Sequence, residues 1–158
     1  TTAIGKGDTL VSPLHMAMIT EAVANGGVMM TPYLIERIQT SNGDLVKETT
    51  PTAYKTVMSA QEAGVLTDYM RETVLSGTAT TLYNETYSCA GKTGSAEYDN
   101  GVQQGTHSWF VGFTNVENPE LVISVLVEDG GSGSSAAVPI TKQILDSYYY
   151  NSSDTQWY

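Results

Sequence analysis

The stretch Ala90-Gly91-Lys92-Thr93-Gly94-Ser95-Ala96-Glu97 decides how this chain is read. It sets one cation and two hydroxyls among glycines in a segment expected to be a strand. Side chains two apart on a strand share a face, so Thr93 and Ser95 should project together while Lys92 and Gly94 point the other way. A glycine inside a strand leaves backbone open to close approach by a ligand. The expected result is a strand edge suited to an extended peptide that ends in a carboxylate. Alone, Lys-Thr-Gly is a common surface tripeptide. A phosphate loop does not fit, because Gly-x-x-x-x-Gly-Lys-[Ser/Thr] is incomplete here and no strand-loop-helix order follows.

Working outward, three strands are expected in sequence: Cys89 to Tyr98, Ser108 to Thr114 and Leu121 to Glu128. Asn118-Pro119 marks a turn, and positions 99–106 are expected to form an exposed hairpin loop. A Gly/Ser cluster from Gly130 to Ser135 leads into a final helix over about Ala136 to Tyr149. Upstream, Ser12 and Pro13 are the N-cap and first residue of an almost wholly apolar helix, expected to be buried on most sides. Asn25-Gly26-Gly27 ends it. Pro32 to Gln39 alternates as a strand, turns at Asn42-Gly43 and returns through Leu45-Val46-Lys47. A second helix opens at Ser59 with Glu62 as its capping-box partner, shows one face made of Val65, Leu66, Tyr69, Met70 and Val74, and stops at Gly77. The order is helix, hairpin, helix, three antiparallel strands, helix. That is an α+β layout in which helices cover an antiparallel sheet. Residues 1–11 read as a loop and 151–158 as a polar tail.

The 158 residues fit one domain, and 41% hydrophobic with 15% charged residues is a globular balance. A net charge of −10 argues against nucleic acid, which needs a clustered Lys/Arg footprint, and is read as serving solubility. The single cysteine, Cys89, permits no intrachain disulfide and is read as a small core residue. His15, Cys89 and His107 lack metal-ligand spacing, so neither a metal nor another cofactor is expected. No run reaches about 18 apolar residues and no leader pattern opens the chain, so the polypeptide as given is read as soluble.

Set in context, the Ala90–Glu97 stretch resembles the third active-site motif of the serine penicillin-recognising enzymes. Its neighbours are similar to the class B penicillin-binding proteins. They are the segment from Ile4 to Ala17, Glu21-Ala22-Val23-Ala24-Asn25-Gly26-Gly27 running into Pro32, Val74-Leu75-Ser76-Gly77-Thr78-Ala79, and His107-Ser108-Trp109-Phe110-Val111-Gly112-Phe113. They occur in the family's order and span about residues 3 to 147. The resemblance implies a partial penicillin-binding/β-lactamase-like transpeptidase fold. Residues 1–150 would be the C-terminal portion of the domain. The implied reaction is peptidoglycan cross-linking through a serine acyl-enzyme on a D-Ala-D-Ala stem, blocked by β-lactams.

By that resemblance Lys92 supplies positive potential and joins the proton network around the serine. Thr93 and Ser95 hydrogen-bond the carboxylate of D-alanine or of a β-lactam, and the Ser95 N–H forms half of an oxyanion hole. Gly91 and Gly94 serve backbone approach, and His107 is a hydrogen-bonding rim residue rather than a base. Trp109, Phe110 and Phe113 are expected in the core, while Asp8 and Glu97 are candidates for orienting nearby loops. The family's Ser-x-x-Lys nucleophile motif is absent, as is its Ser-x-Asn. The chain is therefore expected to be part of a larger domain, inactive alone, whose parent is anchored at the membrane and works outside the cytoplasm. A serine β-lactamase, or a β-lactam-sensing or non-catalytic peptide-binding module, are the alternatives.

Overall fold

In the computed structural model, which describes residues 9–99 and 101–150, helix α1 (Pro13–Ala24) starts where its cap chemistry dictates. Ser12 is extended at φ −90°, ψ 157°, and its hydroxyl accepts from the His15 N–H at 3.1 Å. Asn25 ends the helix, and Gly26 and Gly27 follow at φ +63° and +96°. A side chain at Gly27 would fall 2.1 Å from the Met58 carbonyl oxygen. The expectation that α1 is buried on most sides fails. Thr20, Ala22 and Val23 are buried, but Leu14 is 61% exposed and Ile19 37%. One flank packs on the sheet, and among the described residues nothing covers the other.

The next segment differs from the expected single hairpin. Chain reversal after α1 forms β1 (Val28–Met30), which pairs antiparallel with β4 (Ala53–Thr56), a ribbon the sequence reading missed. The Pro32–Gln39 strand shrinks to β2 (Arg37–Gln39), which pairs with β3 (Leu45–Glu48) across the Asn42-Gly43 turn. These short strands are exposed on both faces, so no buried side enforces the longer register that alternation suggested.

Helix α2 (Ala60–Leu75) opens on the expected capping box. The Ser59 hydroxyl accepts from the Glu62 N–H at 3.2 Å, and the Glu62 carboxylate accepts from the Ser59 N–H at 2.8 Å. Its buried stripe, however, is rotated from the expected one. Ala63 and Val74 are buried and Met70 is half-buried, whereas Val65, Leu66 and Tyr69 are exposed. Arg71 explains the error. It occupies the sheet-facing stripe because its guanidinium donates to the Cys89 carbonyl at 2.8 Å, so a charged residue stands where hydrophobicity predicts solvent. A short 3₁₀ turn (Thr80–Leu82) leads on to the sheet.

That sheet runs β5 (Cys89–Asp99), β6 (Gln104–Thr114), β7 (Leu121–Val127), all antiparallel. The 99–106 loop is tighter than expected, because β6 begins at Gln104 and pairs back to Asp99. Helix α3 (Ala137–Tyr150) is the last element of the described residues. Successive β6 side chains alternate between two cores. Phe110 packs with Ile123, Val125, Val138 and Leu145 on the α3 side. Phe113 packs with Ala90 and Val23 on the α1 side. The observed architecture is thus the expected α+β sheet with helices on both faces.

Cys89 sits in the α3-side core with no exposed surface, as its sequence setting suggested. Burial pushes its thiol up to about 12. The unfolded chain releases this proton near 8.5 and the folded chain retains it. The Cys89 contribution to stability is therefore constant below about pH 8.5 and falls as pH rises from there toward 12, by at most about 1.4 kcal/mol per unit. The buried Tyr87 phenol, raised mainly by desolvation, acts in the same direction. Urea midpoints across that range should fall, and a thiol reagent should modify Cys89 only once the chain unfolds. Equally fast modification in buffer and in urea would contradict this.

Candidate active site

β5 is the outer strand of its sheet, so alternate backbone N–H and C=O groups face away from β6 and are open to an added strand. Its pairing fixes which side chains share a face. Thr93 pairs with Phe110 and Ser95 with Ser108, while Lys92, Gly94 and Ala96 pair with Val111, Trp109 and His107. The Lys-Thr-Gly strand therefore carries hydroxyls toward the α3 side and its amine toward the α1 side, as the alternation predicted.

On the hydroxyl side, Thr93 Oγ1 lies 2.7 Å from the hydroxyl of Thr78, in the turn after α2. Ser95 Oγ accepts from the Gly133 N–H at 3.4 Å. A hydroxyl has one proton to give and two lone pairs, and Gly133 N–H can only donate. The Ser95 O–H thus keeps its proton for another acceptor. The Gly/Ser loop lies flat on the strand backbone. A side chain at Gly133 would fall 2.6 Å from the Trp109 carbonyl oxygen and 2.8 Å from that of Gly94, so only glycine approaches this closely. Ser108 ties the loop down, donating to the Ser132 carbonyl at 2.7 Å and accepting from the Ala137 N–H at 3.0 Å.

On the amine side is a cavity of about 580 Å³ lined by Lys92 to Ala96 of β5, His107, Trp109 and Val111 of β6, Leu126 of β7, and Thr9 to Val11 with Met16 from the start of the described chain. Lys92 is exposed there, its amine donating to the Thr93 carbonyl at 2.8 Å. Phe110 and Phe113 are core residues as expected, but Trp109 is a half-buried wall of this cavity. The residue type alone does not distinguish the two, since β6 has a core on each face and an opening on one.

His107 lies at the end of the cavity. Its Nδ1 accepts from the Asp129 N–H at 3.2 Å, which leaves Nε2 as the nitrogen that carries the proton in the neutral ring. The ring stacks on Tyr98 at 4.6 Å, and the Tyr98 hydroxyl donates to the Asp129 carboxylate at 2.9 Å. A nitrogen already accepting a hydrogen bond is not an available base.

All five expected site residues, Lys92, Thr93, Gly94, Ser95 and His107, line one cavity. Asp8 lies outside the described residues. Sequence reasoning gave no site role to Thr78, read as part of a helix end within a family-like segment, or to Gly133, read only as loop. The signal for both was the small-residue composition of Ser76-Gly77-Thr78-Ala79 and Gly130–Ser135, which permits close approach to a strand. Among the described residues no group of His, Cys, Asp or Glu is placed to hold a metal ion, and no helix is long and apolar enough to cross a membrane.

The sequence profile of the penicillin binding protein transpeptidase domain matches residues 1–146. The peptidoglycan D,D-transpeptidase PbpA of Mycolicibacterium smegmatis is 32% identical over 90% of this chain and 30% of its own length. The peptidoglycan D,D-transpeptidase MrdA of Haemophilus influenzae is 29% identical over 94% of the chain and 25% of its own. Among solved structures, a ceftriaxone acyl-enzyme complex of penicillin-binding protein A from M. tuberculosis superposes at a TM-score of 0.83. It shares 28% identity and covers 92% of this chain and 34% of that one. The D,D-transpeptidase domain of a peptidoglycan glycosyltransferase from Eggerthella lenta gives 0.73 at 34% identity, over 87% and 32%. The chain thus spans about a third or less of the length of each of these relatives.

Proposed function

The chain belongs to the penicillin-binding protein transpeptidase family, and on that premise we propose that it forms the substrate-clamping part of a serine D,D-transpeptidase that cross-links peptidoglycan. The observation that carries the reading is the open edge of β5, with Lys92 on one face and the Thr93 and Ser95 hydroxyls on the other. An extended stem peptide adds to that edge through its backbone. Its terminal carboxylate meets Thr93 and Ser95, and the Ser95 N–H faces the scissile carbonyl oxygen as half of the oxyanion hole. Removing one such donor costs about 2.7–4 kcal/mol of barrier. His107 holds the rim.

The nucleophile comes from outside this sequence. Its serine attacks the D-Ala-D-Ala carbonyl and the C–N bond breaks. D-alanine leaves with a proton, and an amine later takes the acyl group from the serine. The α1-side cavity, with Leu10 94% and Leu14 61% exposed beside it, is the surface that the remainder of the domain covers. Residues 1–150 act as the C-terminal portion of that domain and 151–158 as its tail. A β-lactam, whose carboxylate resembles that of D-alanine, enters the same clamp and acylates the serine. No cofactor is needed. The protein works outside the cytoplasm, tethered to the membrane by a region beyond this sequence.

The test is acyl transfer from a D-Ala-D-Ala stem peptide to an amine by the complete protein, with release of D-alanine. Thr93→Val combined with Ser95→Ala should slow it about 10²- to 10⁴-fold, on the order of two charge-assisted hydrogen bonds. Rapid turnover of a reporter β-lactam with no transfer to an amine would replace this reading with a β-lactamase.

A further inference from the structure

The structure assigns Thr78 a positioning role in the carboxylate clamp: its hydroxyl donates to Thr93 and so leaves the Thr93 proton for the bound carboxylate. The inference rests on the reading of Thr93 and Ser95 as that clamp. Thr78 and Thr93 come from different elements, and their hydroxyl oxygens are 2.7 Å apart. Two hydroxyls in contact share one proton between them and keep one to give elsewhere. A carboxylate beside Thr93 accepts only, so it draws the Thr93 proton outward, and Thr78 must then be the donor. The run Thr78 O–H to Thr93 O–H to carboxylate has every bond pointing the same way, the arrangement in which each polarises the next.

Ser95 shows the same construction. The Gly133 N–H occupies its accepting side from behind, and its proton remains for the ligand. Both clamp hydroxyls are thus backed by a donor from another segment, the turn after α2 for one and the loop before α3 for the other.

The backbone holds Thr78 where this requires. At Gly77 a side chain would fall 2.9 Å from the Thr73 Cα and carbonyl oxygen, so the turn folds directly onto α2. Ala79 is fully buried, and its N–H donates to the Thr73 carbonyl at 3.1 Å. Thr78 is pinned between these two anchors, exposed to solvent, with its hydroxyl at β5.

The test uses the complete transpeptidase and second-order acylation constants for a penicillin and for its uncharged methyl ester. Thr78→Val removes the hydroxyl at nearly constant shape and should slow the carboxylate form about 3- to 10-fold, the scale of one hydrogen bond between neutral groups, and leave the ester unaffected. Thr78→Ser should restore the carboxylate rate to within about 2-fold, since its hydroxyl is equivalent. In a Thr93→Val background, Thr78→Val should add nothing, the signature of two residues acting as a unit. Thermal midpoints check folding, and Thr78→Ala replaces the valine if its branch displaces the turn. Equal slowing of acid and ester would reduce Thr78 to a structural residue and overturn the inference. So would an unchanged Thr78→Val beside a Thr93→Val that loses its preference for the acid, with the clamp itself intact. If Thr93→Val keeps that preference, the clamp reading fails, and the inference with it.

Discussion

Purified residues 1–158 are expected to give no covalent band with a fluorescent penicillin, while the complete transpeptidase carrying this sequence gives a stoichiometric one. Acylation needs a nucleophile beside a base that takes its proton. Among the described residues, none of the hydroxyls gathered at β5 is hydrogen-bonded to a base that would take its proton. Thr93 and Thr78 bond each other, Ser95 Oγ accepts from Gly133, and the Lys92 amine donates to a carbonyl of its own strand. The sequence has no Ser-x-x-Lys to supply the missing pair. Loss of a serine nucleophile typically costs on the order of 10⁶-fold in rate, so the adduct falls below detection over any practical incubation. Circular dichroism of the same sample, showing the expected mixture of helix and sheet, separates a missing nucleophile from an unfolded chain. A penicillin-labelled peptide mapping to β5 would overturn the assignment of these hydroxyls to binding.

The sheet and its motif were legible in the sequence because one kind of signal controls both. From Cys89 to Val127, alternation, turn residues and apolar runs agree, and the three strands lie within a few residues of expectation. Helix caps at Ser12 and Ser59 were legible because a cap is a local hydrogen-bond requirement. Legibility ended where a residue's environment is set by something distant in sequence. Arg71 turned the α2 stripe by bonding a carbonyl eighteen positions away. Trp109 became a cavity wall because the other side of the cleft is built by Leu10, Val11 and Met16, nearly a hundred residues upstream. The β1–β4 pair joins a three-residue strand, too short and too uniformly apolar to show alternation, to the exposed Ala53–Thr56. At the candidate site, the residues singled out by their chemistry lie along one cavity, while the residues that touch them from other segments were not singled out. Lysine, serine and histidine can be named from the chain, but Thr78 and Gly133 matter only through where the fold puts them.

Lys92→Ala in the complete domain should slow acylation by β-lactams about 10²- to 10⁴-fold, the range for loss of a positioned proton-transfer group. Lys92 is exposed and touches no buried core, so stability should change by no more than about 0.5 kcal/mol, and the effect should fall on the chemical step. Its place explains why. The amine stands on the cavity face of β5, opposite the hydroxyl face, so it does not compete with Thr93 and Ser95 for the carboxylate. Bonding a carbonyl one residue along its own strand holds the ammonium close to the motif until a nucleophile arrives. Lys92→Arg separates the two contributions. Guanidinium keeps the positive potential but does not give up a proton under working conditions, and its planar fork differs from a compact, rotatable ammonium. A rate for Lys92→Arg close to that of the alanine variant would assign the loss to proton transfer, and near-complete recovery would assign it to charge. The pH dependence of the wild-type rate supplies the second axis, since a proton-transferring lysine leaves an ionisation in the profile that the alanine variant lacks. Labelling kinetics unchanged in Lys92→Ala would remove this residue from the mechanism and leave the hydroxyl face of β5 to act without it.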